Sequence, residues 1–194
     1  MSLERVDDRT LILETDEPWP ESVQPGIIVD NATANPDVVI RGCTMRGNRA
    51  RGFLLHSRGR TLVEDCYFHN TGPAIIIGGA DVGDKWYESG HPKNVTLRNN
   101  VFNDCNCLNG RGAAIVVDGT PLRRSADDPE RGGRLTVVDN VFRTFGPGLL
   151  FARNLDGVRF EDNEVMLTDD YPYEGEPAAP VRVENVRDAR VEEA

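Results

Sequence analysis

One eight-residue pattern is written five times along the chain: Val38–Met45 (VVIRGCTM), Thr61–Phe68 (TLVEDCYF), Val95–Phe102 (VTLRNNVF), Leu135–Phe142 (LTVVDNVF) and Val158–Val165 (VRFEDNEV). Its third position holds Ile40, Val63, Leu97, Val137 and Phe160, and its eighth holds Met45, Phe68, Phe102, Phe142 and Val165, all apolar. The sixth position is polar or sulfur-bearing: Cys43, Cys66, Asn100, Asn140 and Asn163. A polar column inside apolar ones predicts a residue at a bend, turned inward, whose amide bonds to its neighbours above and below as an asparagine ladder. Each copy is followed by a short apolar run: GFLLH from Gly52, AIIIG from Ala74, AIVVD from Ala114 and GLLFA from Gly148. The unit is therefore read as two short strands with a bend between them, and copies stack to bury their apolar positions.

A parallel β-helix of five to six coils, an all-β solenoid, is the fold this pattern supports. Leucine-rich or helical repeats would show leucine columns or a 3.6-residue period. An antiparallel sandwich is the alternative, but it needs hairpin turns of the Asn-Gly or Asp-Gly kind between the strand pairs, and these are missing. The division expected is an N-terminal strand and connector over residues 1–25, built on TLILET and a Pro-rich acidic tract, followed by the β-helix over 26–194. The first rung lacks an amphipathic cap, so the uncapped end invites homo-oligomerisation by end-to-end stacking or exchange of the N-terminal segment.

The formal net charge of −10 disfavours nucleic acid and anionic membrane surfaces as partners. No run of 18 apolar residues is present and the N-terminus lacks the apolar core of a signal peptide, so the sequence predicts no membrane insertion and leaves localisation open. The four cysteines, Cys43, Cys66, Cys105 and Cys107, do not have a C-x-x-C metal spacing, and Cys43 and Cys66, one rung apart, are read as free buried thiols.

Strand alternation assigns the second run of each coil. With Phe53, Leu55, Ile75, Ile77, Ile115, Val117, Leu149 and Phe151 inward, the outward residues are Leu54, His56, Ile76, Gly78, Val116, Asp118, Leu150 and Ala152. His56, Gly78, Asp118 and Ala152 then form one surface column, with His56 and Asp118 two rungs or about 9.6 Å apart across a glycine notch. An insertion beside this notch carries Asp81, Asp84, Trp86, Tyr87, Glu88 and His91, an aromatic-plus-acid set suited to a sugar, although Trp86 as a plug and Glu88 as a solvated acid fit equally. Arg49 and Arg51 in the RGNRARG turn are either solvated or folded over the groove as donors. The Gly119–Gly133 insertion, including Asp127 and Asp128, has the composition of a mobile loop, and Tyr171 and Tyr173 read as covers of the apolar end.

The succession GNRARGFLL (Gly47–Leu55), GRTLVEDCYFHNTGPAIIIGGA (Gly59–Ala80), WYESG (Trp86–Gly90) and VTLRNNVF resembles the C-terminal coils of the α-1,3-galactosidase family of bacterial glycoside hydrolases. The segment TLILET…PESVQPGIIVDNATANPDV is similar to the end of the small barrel that precedes those coils, and the likeness covers about residues 8–165. The resemblance implies a right-handed parallel β-helix, no metal or other cofactor, a galactose-containing glycan as partner, and inverting hydrolysis by two carboxylates roughly 6.5–9.5 Å apart. The family's adjacent aspartates followed by Asn and His do not occur in this sequence, so its main carboxylates are not carried over and the isolated chain is expected to be inactive. What transfers is Arg49, Arg51, Trp86 and Glu88 as substrate-binding residues, with Asp118, Glu88 and His56 as the catalytic candidates if the chain has activity. A non-catalytic carbohydrate-binding β-helix, and a lyase- or epimerase-like β-helix using Ca²⁺ at Asp81, Asp84 and Glu88, are the competing readings.

Overall fold

A computed structural model describes residues 2–21, 23–25, 32–69, 72–78, 93–106, 112–119, 132–173 and 179–192. Strands β1 (Ser2–Arg5) and β2 (Leu11–Glu14) form an antiparallel hairpin in place of the single strand expected there. The β-helix begins after a 3₁₀ turn at Ala32–Ala34. Its first coil is β3 (Val38–Arg41), β4 (Thr44–Arg46) and β5 (Phe53–Leu55); its second is β6 (Arg60–Glu64), β7 (Tyr67–His69) and β8 (Ile75–Gly78). The third is β9 (Asn94–Arg98), β10 (Val101–Asn103) and β11 (Ile115–Asp118), and the fourth is β12 (Gly132–Val138), β13 (Val141–Thr144) and β14 (Leu150–Arg153). The fifth is β15 (Leu155–Glu161), β16 (Glu164–Leu167) and β17 (Val181–Glu184), and β18 (Asp188–Val191) opens another.

Each coil therefore has three strands, not two, and the strands stack into three parallel sheets. The first sheet runs β3-β6-β9-β12-β15-β18, the second β4-β7-β10-β13-β16 and the third β5-β8-β11-β14-β17. The extra corner lies inside the eight-residue pattern. Its fifth position is Gly42, Asp65, Asn99, Asp139 or Asp162, with φ of 64°, 53°, 54°, 55° and 54°. That left-handed conformation is open to Gly, Asn and Asp at least cost and turns the chain from the first sheet into the second.

The ladder sits at the next position. Asn140 Oδ1 accepts from the Asn100 backbone N–H (3.0 Å) and from Asn100 Nδ2 (3.0 Å), and Asn163 Oδ1 does the same for Asn140 (3.1 and 2.9 Å). Asn100 Oδ1 accepts from Cys66 N–H at 3.0 Å, and Cys66 Sγ accepts from Cys43 N–H at 3.4 Å, so sulfur continues the file. Each Asn amide also donates to a backbone carbonyl of the preceding rung, namely Val63, Leu97 and Val137. These buried corners thus leave few polar groups unpaired, which is what makes the corner affordable away from water.

Beside the ladder the eighth position forms an aromatic stack. Ring centroids of Phe68, Phe102 and Phe142 follow one another at 5.1 and 4.8 Å, and Phe160 joins at 5.8 Å. All four rings are fully buried, each contributing about 3 kcal/mol of burial together with pairwise ring attraction. Packing between rungs is close enough that Gly133 admits no side chain: a Cβ there would lie 1.6 Å from the Lys93 carbonyl oxygen.

The third sheet corrects the expected register at its fourth coil. Ile115 pairs with Leu150, Val116 with Phe151, Val117 with Ala152 and Asp118 with Arg153. Leu150 and Ala152 therefore point inward, 1% and 0% exposed, and Phe151 points outward, the reverse of the alternation expected from sequence. The cause is Leu149, which occupies the place of Ala114 before the strand, so that the strand starts one residue later. A slip of one residue exchanges every side chain between faces.

Candidate functional site

The outward face of the third sheet carries two parallel columns. One is apolar over four rungs and then basic: Leu54, Ile76, Val116, Phe151 and Arg182. Ile76 and Val116 are buried with Ala113 in a small apolar cluster separate from the solenoid interior, and Leu54 and Phe151 pack against it. The Arg182 guanidinium lies over the Phe151 ring, 3.9 Å from its centroid, as a cation–π contact.

The second column is Gly78, Asp118, Arg153 and Glu184 in register, with His56 directly after β5 at the position next to the Leu55–Ile77 pair. The notch expected from His56, Gly78 and Asp118 is present in this order. Its fourth member is Arg153, not Ala152, and that changes the chemistry. Arg153 Nε donates to Asp118 Oδ2 at 2.7 Å, and Nη2 engages the same oxygen. Asn154 Nδ2 approaches Asp118 Oδ1 at 3.4 Å, and Asn185 Nδ2 donates to Asn154 Oδ1 at 2.6 Å, a short ladder of its own at the corner out of the third sheet. The carboxylates of Asp118 and Glu184 hold the Arg153 guanidinium above its ordinary pKa. Ile76, Gly78, Val116, Asp118, Phe151 and Arg153 line a depression of about 280 Å³.

This arrangement offers a ligand an apolar strip beside a fixed donor–acceptor pair. Asp118 and Glu184 are the outward carboxylates of the column among the described residues, two rungs or about 9.6 Å apart. Arg153 stands on the rung between them and engages Asp118.

The other residues singled out from sequence are distributed differently. Arg49 and Arg51 lie in the turn between β4 and β5, Arg49 exposed and Arg51 half-buried, at the first-coil end of the face and two rungs from Asp118. His56 is half-buried at the same end. Asp81, Asp84, Trp86, Tyr87, Glu88, His91, Cys107, Asp127 and Asp128 lie outside the described residues. Tyr171 and Tyr173, expected over the apolar end, lie against Phe145 and Gly146. Cys43, Cys66 and Cys105 are free thiols, and burial raises the pKa of Cys66. Among the described residues no three His, Cys, Asp or Glu side chains gather as metal ligands. Sequence reasoning missed Phe151, Arg153, Asn154 and Arg182; the available signal was the Arg153-Asn154 dipeptide, whose asparagine has the left-handed φ (57°) that a corner demands.

Relatives that share most of this chain include three α-1,3-galactosidases. The chain is 35% identical over 181 residues to α-1,3-galactosidase A of Shewanella woodyi, covering 93% of this chain and 29% of that protein. The α-1,3-galactosidase B of Bacteroides thetaiotaomicron is 33% identical over 173 residues (88% and 28%), and that of Akkermansia muciniphila 37% over 168 residues (83% and 20%). The chain thus spans less than a third of the length of each. Residues 21–171 match the family described as Right handed beta helix region. With its three stacked parallel sheets and its kinship to the α-1,3-galactosidases, the chain belongs to the right-handed β-helix family.

Proposed function

We propose that the chain forms one wall of a glycan site for terminal α-linked galactose within a glycoside hydrolase-like β-helix. The observation that carries this reading is the Asp118–Arg153 pair set beside the apolar strip of Ile76, Val116 and Phe151 at the third-sheet depression. Galactose has a C–H patch on one ring face and hydroxyls around its rim, so apolar contact and a rigid donor–acceptor pair address both. The relatives' name, α-1,3-galactosidase, supplies the linkage.

The chain on its own binds and does not hydrolyse in this reading, because Arg153 stands on the rung between Asp118 and Glu184 and engages the first of them. Arg49 and Arg51, in the turn between β4 and β5 at the first-coil end of the face, are the further binding residues of this reading. Calorimetric titration of the purified chain with an α-1,3-linked galactose disaccharide tests the proposal. Saturable binding that Arg153→Ala weakens about tenfold, with no galactose released, is expected; that loss equals about 1.4 kcal/mol. Absence of binding overturns the site, and release of galactose overturns the non-catalytic role.

A further inference from the structure

The outward face of the first sheet holds a notch at its last three rungs. Strand register sets Arg134, Gly157 and Asp188 in one column and Thr136, Arg159 and Arg190 in the next, on β12, β15 and β18. Gly157, at the centre of the first column, has no side chain, and the surface falls there into a depression of about 270 Å³ that these six residues line. The Arg134 side chain lies across its floor: a Cβ on Gly157 would be 3.0 Å from Arg134 Nη1 and 3.3 Å from its Cγ. Beyond the glycine, Arg134 Nη1 donates to Asp188 Oδ2 at 3.2 Å.

Three guanidiniums and one carboxylate line this depression. Glu161 holds Arg159 through its Nε, and counting that acid too leaves a local balance of +1, three minus two, in a chain whose formal net charge is −10. A basic hollow in an acidic chain runs against the average field and concentrates attraction for an anion at one point. The ion pairs leave donors over. A guanidinium carries five N–H donors, of which Arg134 uses Nη1 on Asp188 and Arg159 uses Nε on Glu161. Both pairs are exposed enough to be weak and to yield to an incoming anion. Arg190, exposed on the edge strand β18, makes neither an ion pair nor a side-chain hydrogen bond among the described residues.

We propose that this notch binds an oxyanion, the carboxylate of a small acidic sugar or an equivalent sulfate group, with Arg190 as its main contact and Arg134 and Arg159 at its sides. The planar fork of a guanidinium matches the paired oxygens of either group. The hollow is just smaller than the roughly 300–1,000 Å³ of pockets that take drug-sized molecules, so its ligand is no larger than about one acidic sugar unit. The Thr136 hydroxyl, beside Arg159 in register, is available to a ring hydroxyl of such a sugar.

Backbone NMR of the full chain, titrated separately with glucuronate, inorganic sulfate and neutral glucose and read at the Thr136, Gly157 and Arg190 amides, tests the site. Saturable shifts are expected with glucuronate, with sulfate or with both, and none with glucose. A response to glucuronate assigns the notch to a sugar-borne acid; a response to sulfate alone assigns it to the sulfate group. The affinity should fall severalfold as NaCl rises from about 0.01 M to about 0.15 M, because the screening length shortens from about 30 Å to about 8 Å. Arg190→Gln keeps a long polar side chain and is expected to weaken binding about tenfold. Arg60→Gln, on the first-sheet strand β6 and paired with Asp37, leaves it unchanged. Should Arg190→Gln disturb the edge strand, Arg159→Gln on the interior strand β15 decides in its place, with the same loss expected. No saturable shift with either anion, equal shifts with glucose, or an affinity indifferent to both substitutions would overturn the site. The galactose reading stands or falls separately, since none of these six residues lines the third-sheet depression.

Discussion

The interior corner between the first and second sheets and the outward face of the third obey opposite rules. At the corner the same residue recurs rung after rung: Asn100, Asn140 and Asn163 bond to each other, and Phe68, Phe102 and Phe142 stack on each other. On the outward face no two rungs agree, and His56, Gly78, Asp118, Arg153 and Glu184 succeed one another in a single file. Repetition lets each rung satisfy its neighbour, so it is the signature of what holds the solenoid together. Variation along an otherwise periodic column marks positions released from that duty and open to a ligand.

Substitutions can break this contrast, and the largest effects belong to the interior. Phe102→Ala removes the middle ring of the stack and should cost about 4 kcal/mol in denaturant unfolding. Asn140→Ala leaves the Asn100 N–H and the Leu97 carbonyl without their partners and should cost about 3 kcal/mol. Ala152→Leu sharpens the comparison by testing register: buried at Ala152, the added volume should cost about 2 kcal/mol, whereas an outward Ala152 would tolerate it.

At the face the order reverses. Arg153→Ala, removing a half-exposed partner, should change unfolding stability by no more than about 1 kcal/mol, although it is expected to weaken glycan binding about tenfold. A pH titration gives the smallest signal. Glu64, between Arg41 and Arg98 on neighbouring rungs, is held below the usual glutamate pKa chiefly by its hydrogen bond to Arg41 and then by that to Arg98. Its contribution is present above the unfolded-state value and is lost as the pH falls through the lowered folded value. Glu64→Gln should therefore flatten the acid limb of a stability–pH curve.

Much of the fold was legible because its strongest signal is a column. The asparagine positions, the apolar third and eighth positions and the parallel stacking all follow from aligned repeats. The three-sheet cross-section was also written in the chain, in the Gly42, Asp65, Asn99, Asp139 and Asp162 column, but that column had to be understood as left-handed backbone and not as surface polarity. The site was less legible for a different reason. Gly148-Leu149-Leu150-Phe151-Ala152 is apolar on both faces, so it carries no phase by which to tell inside from outside, and the one-residue slip hid Arg153.

Backbone NMR of the isotopically labelled chain, titrated with an α-1,3-linked galactose disaccharide, tests most directly whether the varied column is where a ligand sits. The account predicts saturable shift changes concentrated at His56, Gly78, Val116, Asp118, Phe151 and Arg153, with the Asn100, Asn140 and Asn163 amides unmoved. Shifts confined to the outward faces of the first or second sheet, or none at saturating sugar, would contradict it.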